Sequence, residues 1–270
     1  MSTVHAAAVS PFISAEALAA RLEAGEAAVV YVAREPGAAP STLIPGSVRT
    51  AVPTHYADPG DPARGQLPLP TQDAVRRWAA EASLDRAREI VVYDDTTGTA
   101  AARAWWVLTW AGLEGVRILD GGLRAWTEKV DAEAESGPAV PAALPALSAI
   151  DTEAIAAQPA GYRLFDARSR SAYDGDGVAP SHLPGALSSP AAVWQDADGR
   201  LLPIDRRRAV ARALGLLDEN ERPVVAYCGS GGAAAYWIAA VQDLGVQASL
   251  YAGSWSAWSS DSARLAAHAG

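Results

Sequence analysis

Asp120-Gly-Gly-Leu-Arg-Ala-Trp126 and Ala252-Gly-Ser-Trp-Ser-Ala-Trp258 share the frame Gly-x-x-x-Ala-Trp, each after an apolar stretch. Two further pairs keep the same order. Ile44-Pro-Gly-Ser47 answers Leu183-Pro-Gly-Ala186, and Ile90-Val-Val-Tyr-Asp94 answers Val224-Val-Ala-Tyr-Cys228. Three correspondences in one order along 270 residues imply a duplicated domain, and the length suits two domains of ordinary size.

Each copy alternates short apolar runs with amphipathic stretches. In the second copy, strands are expected at Arg163–Asp166, 223–227 and Ala248–Tyr251, with helices at 205–217 and 233–244. Apolar strands separated by helices of this length predict an α/β fold, each domain a parallel sheet with helices on both faces. Between the copies, Pro138, Pro141 and Pro145 interrupt an alanine-rich run that cannot hold a helix. The expected division is therefore 1–132 for the first domain, 133–147 for the Pro/Ala-rich linker and 148–270 for the second domain.

Half the residues are hydrophobic, a fifth are charged and the formal net charge is -9, which argues against a nucleic-acid partner. The one basic run, Arg206, Arg207 and Arg208, has Ala209, Val210, Ala213 and Leu214 at helical spacing beside it. It is expected to be a solvated helix face. No run of 18 apolar residues occurs, so no membrane partner is expected, and 2–10 lacks the charge and apolar core of a signal peptide. A single cysteine cannot form an internal disulfide, which fits the cytoplasm. His5, His55 and His268 have no metal-ligand partners at useful spacing, so neither metal nor cofactor is expected. Trp105, Trp106, Trp110, Trp237 and Trp255 sit in apolar helical or motif contexts and are expected in the core rather than as a stacking platform.

Chemistry concentrates in Tyr227-Cys-Gly-Ser-Gly-Gly-Ala-Ala-Ala235, between a buried strand and a helix. Gly229, Gly231 and Gly232 let successive backbone N–H groups turn toward one point, and the following helix aims its positive end there. A thiolate on Cys228 is stabilised by such donors and becomes a nucleophile. The competing reading is an inert buried cysteine. The glycines immediately after it, and the helix that follows them, favour chemistry.

This loop, with Gly253-Ser-Trp-Ser-Ala-Trp258, Ala102-Arg-Ala-Trp-Trp106 and Asp120–Trp126, resembles the tandem rhodanese family. Within that family it is most similar to the 3-mercaptopyruvate sulfurtransferases. The resemblance runs from about Val29 to Trp258. It implies two rhodanese-like domains, the first catalytically silent because Asp94 stands where Cys228 stands in the second. It implies a sulfurtransferase in which Cys228 carries a persulfide, taken from a small donor and passed to a thiol, cyanide or a sulfur-carrier protein. The implied site comprises Cys228, with Ser230 acting on the leaving enolate or the persulfide, and the amides of Gly229, Gly231, Gly232, Ala233 and Ala234. It should open at the carboxyl ends of the second sheet, facing the first domain.

The chain departs from that family at identifiable places. Gly232 and Ala233 replace its Val-Thr, and no basic residue lies in the loop, which favours mercaptopyruvate over thiosulfate as donor. Ala172 stands where the first carboxylate-binding arginine is expected, and 175–181 lacks the second, leaving Arg170 as the candidate substitute. Arg168 and His182 are expected to be structural. In the first domain Leu43 and Val32 replace the family's histidine and aspartate, and Thr99 and Ala100 replace its aromatics, predicting a wider, more polar pocket. Two other functions compete. A cysteine phosphatase would need an arginine closing the loop, and there is none. A non-catalytic rhodanese-like binding or regulatory module would explain the missing arginines but not the retained Cys228 and its glycines.

Overall fold

The computed structural model describes residues 10–128, 146–177 and 180–268. The first sheet comprises β1 (Phe12–Ile13), β2 (Ala27–Ala33), β3 (Val48–Ala51), β4 (Glu89–Tyr93) and β5 (Val116–Leu119). Its helices are α1 (Ala15–Glu23), α2 (Val52–His55), α3 (Gln72–Glu81), α4 (Thr99–Trp110) and α5 (Gly122–Thr127). The second sheet comprises β6 (Ala149–Ile150), β7 (Arg163–Asp166), β8 (Leu187–Ser188), β9 (Val224–Tyr227) and β10 (Ala248–Tyr251). Its helices are α6 (Thr152–Ala157), α7 (Arg170–Asp174), α8 (Ile204–Ala213), α9 (Gly232–Gln242), α10 (Ser254–Trp258) and α11 (Ser262–His268).

All these strands pair in parallel. The orders are β1-β5-β4-β2-β3 and β6-β10-β9-β7-β8, the same arrangement with every label advanced by five. The duplication seen in the sequence is thus a duplication of topology. The central strands β4 and β9 are buried at every residue, as expected of parallel strands covered on both faces. The expected linker, 133–147, falls almost wholly outside the described residues.

The repeated Pro-Gly turns have a shared mechanical role. Ile44 donates its N–H to the Tyr93 hydroxyl at 3.1 Å, and Leu183 donates to the Tyr227 hydroxyl at 3.0 Å. Each turn thereby satisfies a buried phenol at the end of the central strand, while Gly46 and Gly185 take φ of 80° and 69° to reverse the chain.

The two domains share a core. α4 packs along α9, and the alanines of both, among them Ala100, Ala101, Ala104, Ala234 and Ala235, let the helices approach closely. Trp105, Trp106 and Trp237 are fully buried, Trp110 and Trp255 partly so, and Phe12 meets Tyr236 edge-on across the domains at 5.4 Å. Polar ties seal the rim: Asp120 Oδ1 accepts the Leu201 N–H at 2.7 Å, and Gln195 donates to the Thr97 carbonyl at 3.0 Å.

Two expectations need correction here. The helix expected at 205–217 ends at Ala213, because Gly215 adopts φ 65° and closes it with a left-handed turn. The arginine run is not a uniformly solvated face. Arg206 and Arg208 are exposed, but Arg207 is buried and donates to the carbonyls of Leu202 and Ala240, both at 2.9 Å, while pairing with Asp243. The packing stripe of α8 runs through position 207, and the long side chain carries its charge through to a carboxylate there.

Candidate active site

Cys228 follows directly on β9, at the carboxyl end of the central strand of the second sheet. Its side chain is buried, and Sγ accepts the Gly231 N–H at 3.0 Å. Gly231 precedes α9 with φ 101°, a conformation that a residue with a Cβ rarely adopts. The N–H groups of Gly232, Ala233 and Ala234 form the first turn of that helix. Such groups have no carbonyl partner within the helix and point outward at its positive end.

The tryptophan motif holds this loop from behind. Trp255 donates its N–H to the Cys228 carbonyl at 2.9 Å and Ser256 donates to the Gly229 carbonyl at 3.1 Å. Ser254 completes the brace: its hydroxyl donates to the Tyr251 carbonyl at 2.8 Å and accepts the Cys228 N–H at 3.3 Å. Ser254 does so at φ 54°, a left-handed conformation that costs a non-glycine residue about 1–2 kcal/mol. The corresponding residue of the first copy is Gly122, at φ 58°, where Leu123 donates to the Asp94 carbonyl at 2.9 Å. The cysteine loop by itself does not point to Ser254. Alignment of the repeats does, since it sets this serine against Gly122.

Over the loop lies a cleft of about 400 Å³ between the domains. Ser230 and Gly232 line it from the second domain, and Arg34, Glu35, Val52, Pro53, Gln66, Leu67, Thr99, Ala100 and Arg103 from the first. Of the residues selected from sequence, the structure thus assembles Cys228, Gly229, Ser230, Gly231, Gly232, Ala233 and Ala234 around one loop opening toward the first domain. Arg170 is not brought there. It is exposed on α7, paired with Asp174 at 2.8 Å and lying over the Tyr173 ring. Arg168 holds Asp166 and the Ser181 carbonyl, and the His182 ring stacks on Tyr173 at 4.0 Å, both structural placements. The charged residues that do face the cleft, Arg34, Glu35 and Arg103, all come from the first domain.

Comparison with known proteins gives the family. The family model for the rhodanese-like domain matches twice, at residues 14–129 and 150–261, and the chain belongs to that family as a two-domain sulfurtransferase. A Mycobacterium tuberculosis protein provisionally named a thiosulfate sulfurtransferase is 34% identical over 273 residues, covering 93% of this chain and 95% of its own length. The 3-mercaptopyruvate sulfurtransferase of Escherichia coli is 30% identical, covering 80% of this chain and 79% of its own. Among solved structures, a 3-mercaptopyruvate sulfotransferase from Escherichia coli superimposes with TM-score 0.65 at 27% identity, covering 92% of this chain and all of its own. The 3-mercaptopyruvate sulfurtransferase of Leishmania major, with TM-score 0.72 and 23% identity over 94% of this chain and 75% of its own, shares the fold.

Proposed function

We propose that the chain transfers a sulfane sulfur through a persulfide on Cys228, from 3-mercaptopyruvate in preference to thiosulfate, to a thiophilic acceptor. The observation that carries the persulfide reading lies in the silent copy. There the Asp94 carboxylate occupies the cradle: Oδ1 accepts the N–H groups of Thr96 and Gly98, and Oδ2 those of Ala100 and Ala101, all at 3.0 Å. Gly98 and Gly231 both precede their helices at positive φ, so Ala100 and Ala101 correspond to Ala233 and Ala234. Oδ1 takes the Gly98 N–H as Cys228 Sγ takes that of Gly231. The N–H groups of Ala233 and Ala234, counterparts of the two that Oδ2 accepts, support the reading by offering donors to the anionic outer sulfur of a persulfide.

In the first half-reaction Cys228 Sγ forms a bond to the donor sulfur as the donor's C–S bond breaks. The electron pair leaves on carbon as the enolate of pyruvate, which then takes a proton. Ser230, on the second domain's wall of the cleft, offers its hydroxyl to that enolate. In the second half-reaction an acceptor thiolate or cyanide attacks the outer sulfur, and Cys228 leaves as a thiolate. The carboxylate of the donor requires a cation, and Arg34 on the opposite wall supplies it where Arg170 does not reach. A small acceptor, or the end of a sulfur-carrier protein, suits the size of the cleft. A reducing cytoplasm suits a reaction whose single thiol must stay free.

Intact-mass measurement after donor treatment tests the reading. The wild-type chain should gain one sulfur that cyanide or excess thiol removes, and Cys228→Ser should show neither adduct nor turnover. Full turnover by Cys228→Ser would overturn it.

A further inference from the structure

The active-site loop contains no basic side chain, yet one buried cation touches it from the other domain. Arg103 of α4 is fully buried. Its Nε donates to the Tyr56 carbonyl at 3.2 Å and Nη2 to the Leu67 carbonyl at 2.7 Å, while Nη1 has no hydrogen-bond partner. That third nitrogen lies against the loop, since a Cβ built on Gly231 would stand 2.4 Å from it. An arginine buried among carbonyls with one nitrogen left over is costly unless a negative charge arrives. Burial lowers its pKa to about 10, and the opposing influence is the Cys228 sulfur.

We propose that Arg103 is a positioning residue of the sulfur-transfer site: across the domain interface, its unpartnered Nη1 lies against the Gly231 turn and lends its charge to the anionic sulfur of Cys228. The catalytically silent domain then supplies the cation that the cysteine loop lacks. The comparison within the chain is consistent. Asp94, with four N–H donors, needs no cation, whereas Sγ of Cys228 has the Gly231 N–H as its hydrogen-bond donor among the described residues. Glycine at 231 is required on this account, because any side chain would displace Nη1. The other charged groups facing the cleft are Arg34 and Glu35, exposed beyond β2, and the second domain lines it with Ser230 and Gly232.

The inference rests on the persulfide reading, and its test is chosen to separate the two. In full-length protein without donor, the rate of Cys228 alkylation by iodoacetamide is measured from pH 5 to 9 for wild type, Arg103→Gln and Arg103→Lys. The Gln variant should react about tenfold more slowly at pH 7, with its profile moved to higher pH, and the Lys variant should lie between. After donor treatment, the adduct on the Gln variant should also be lost sooner by mass analysis. Because Arg103 secures two carbonyls, folding of the Gln variant is checked by circular dichroism. A measurement on the wild type stands beside it: its guanidinium 15N resonances should shift when Cys228 is capped with methyl methanethiosulfonate. A folded Gln variant with the wild-type alkylation profile, or resonances unmoved by capping, overturns the role of Arg103. A wild type that takes up no sulfur overturns the persulfide reading instead, and leaves the alkylation result to stand by itself.

Discussion

Asp94 and Cys228 hold the same station in the two domains: the Gly98 N–H donates to Asp94 Oδ1 at 3.0 Å, and the Gly231 N–H donates to Cys228 Sγ at 3.0 Å. One cradle holds the Asp94 side chain and the other the Cys228 sulfur, so the duplication has preserved the same N–H donor at both stations.

Asp94→Ala should therefore lower stability without abolishing sulfur transfer. It removes the acceptor of four backbone N–H groups at the start of α4, in a buried position. A loss of about 1–3 kcal/mol is expected. Chemical denaturation measures it, and the first-turnover rate of the folded variant should be essentially unchanged. Loss of transfer in a well-folded variant would show that the first domain's cradle acts in the chemistry.

The loop glycines should differ in tolerance. At Gly231 alanine meets both a left-handed backbone, φ 101°, and Arg103 Nη1 at 2.4 Å, so Gly231→Ala should cost about 2–3 kcal/mol and most of the turnover. At Gly229 a Cβ meets nothing within 4 Å, and Gly229→Ala should be mild in stability. Equal melting temperatures for the two variants would contradict this account.

Mercaptopyruvate should be turned over faster than thiosulfate, because the cysteine loop itself carries no cation for the thiosulfate dianion. Arg34→Gln should raise the KM for mercaptopyruvate about tenfold with kcat largely kept, as expected for lost ground-state binding. Arg170→Gln, altering an exposed pair with Asp174, should change neither. Steady-state kinetics on both donors decides, and a clear preference for thiosulfate would reverse the donor assignment.

Asp120 should make the domain junction sensitive to pH. Burial raises its pKa to about 6, above the ordinary value near 4, despite the Leu201 N–H that it accepts. The folded state therefore holds this proton more tightly than the unfolded chain. Its contribution to stability is greatest below about pH 4 and is lost as pH rises through about 6. Asp120→Asn keeps an acceptor for Leu201, so near pH 7 it should exceed the wild type by about 1–2 kcal/mol, with the difference shrinking toward pH 4. Urea titrations of both proteins across that range measure it. A difference independent of pH would show that folding does not raise the Asp120 pKa.

The duplication, the two parallel sheets and the cysteine loop are legible in the order of the amino acids. Those signals are local. A buried parallel strand must be apolar, a strand-to-helix turn with a left-handed residue favours glycine, and the Pro-Gly and Ala-Trp frames recur in the same order at nearly the same spacing. Side chains whose partners lie far away in the chain become legible once the elements are packed together. Arg103 reads locally as one polar residue in an apolar helix, and it becomes part of the site only because α4 packs on α9. Arg207 reads as one of three exposed arginines, until Asp243 and the carbonyl of Ala240 draw it inward. Arg170 lies close in sequence to Asp166 yet turns toward Asp174 and away from the cleft. Ser254 takes a glycine's conformation because its hydroxyl is paired on both sides. Backbone patterns follow from short-range sterics and hydrophobic period, whereas the direction of a long charged side chain depends on which distant carbonyl or carboxylate the fold delivers beside it.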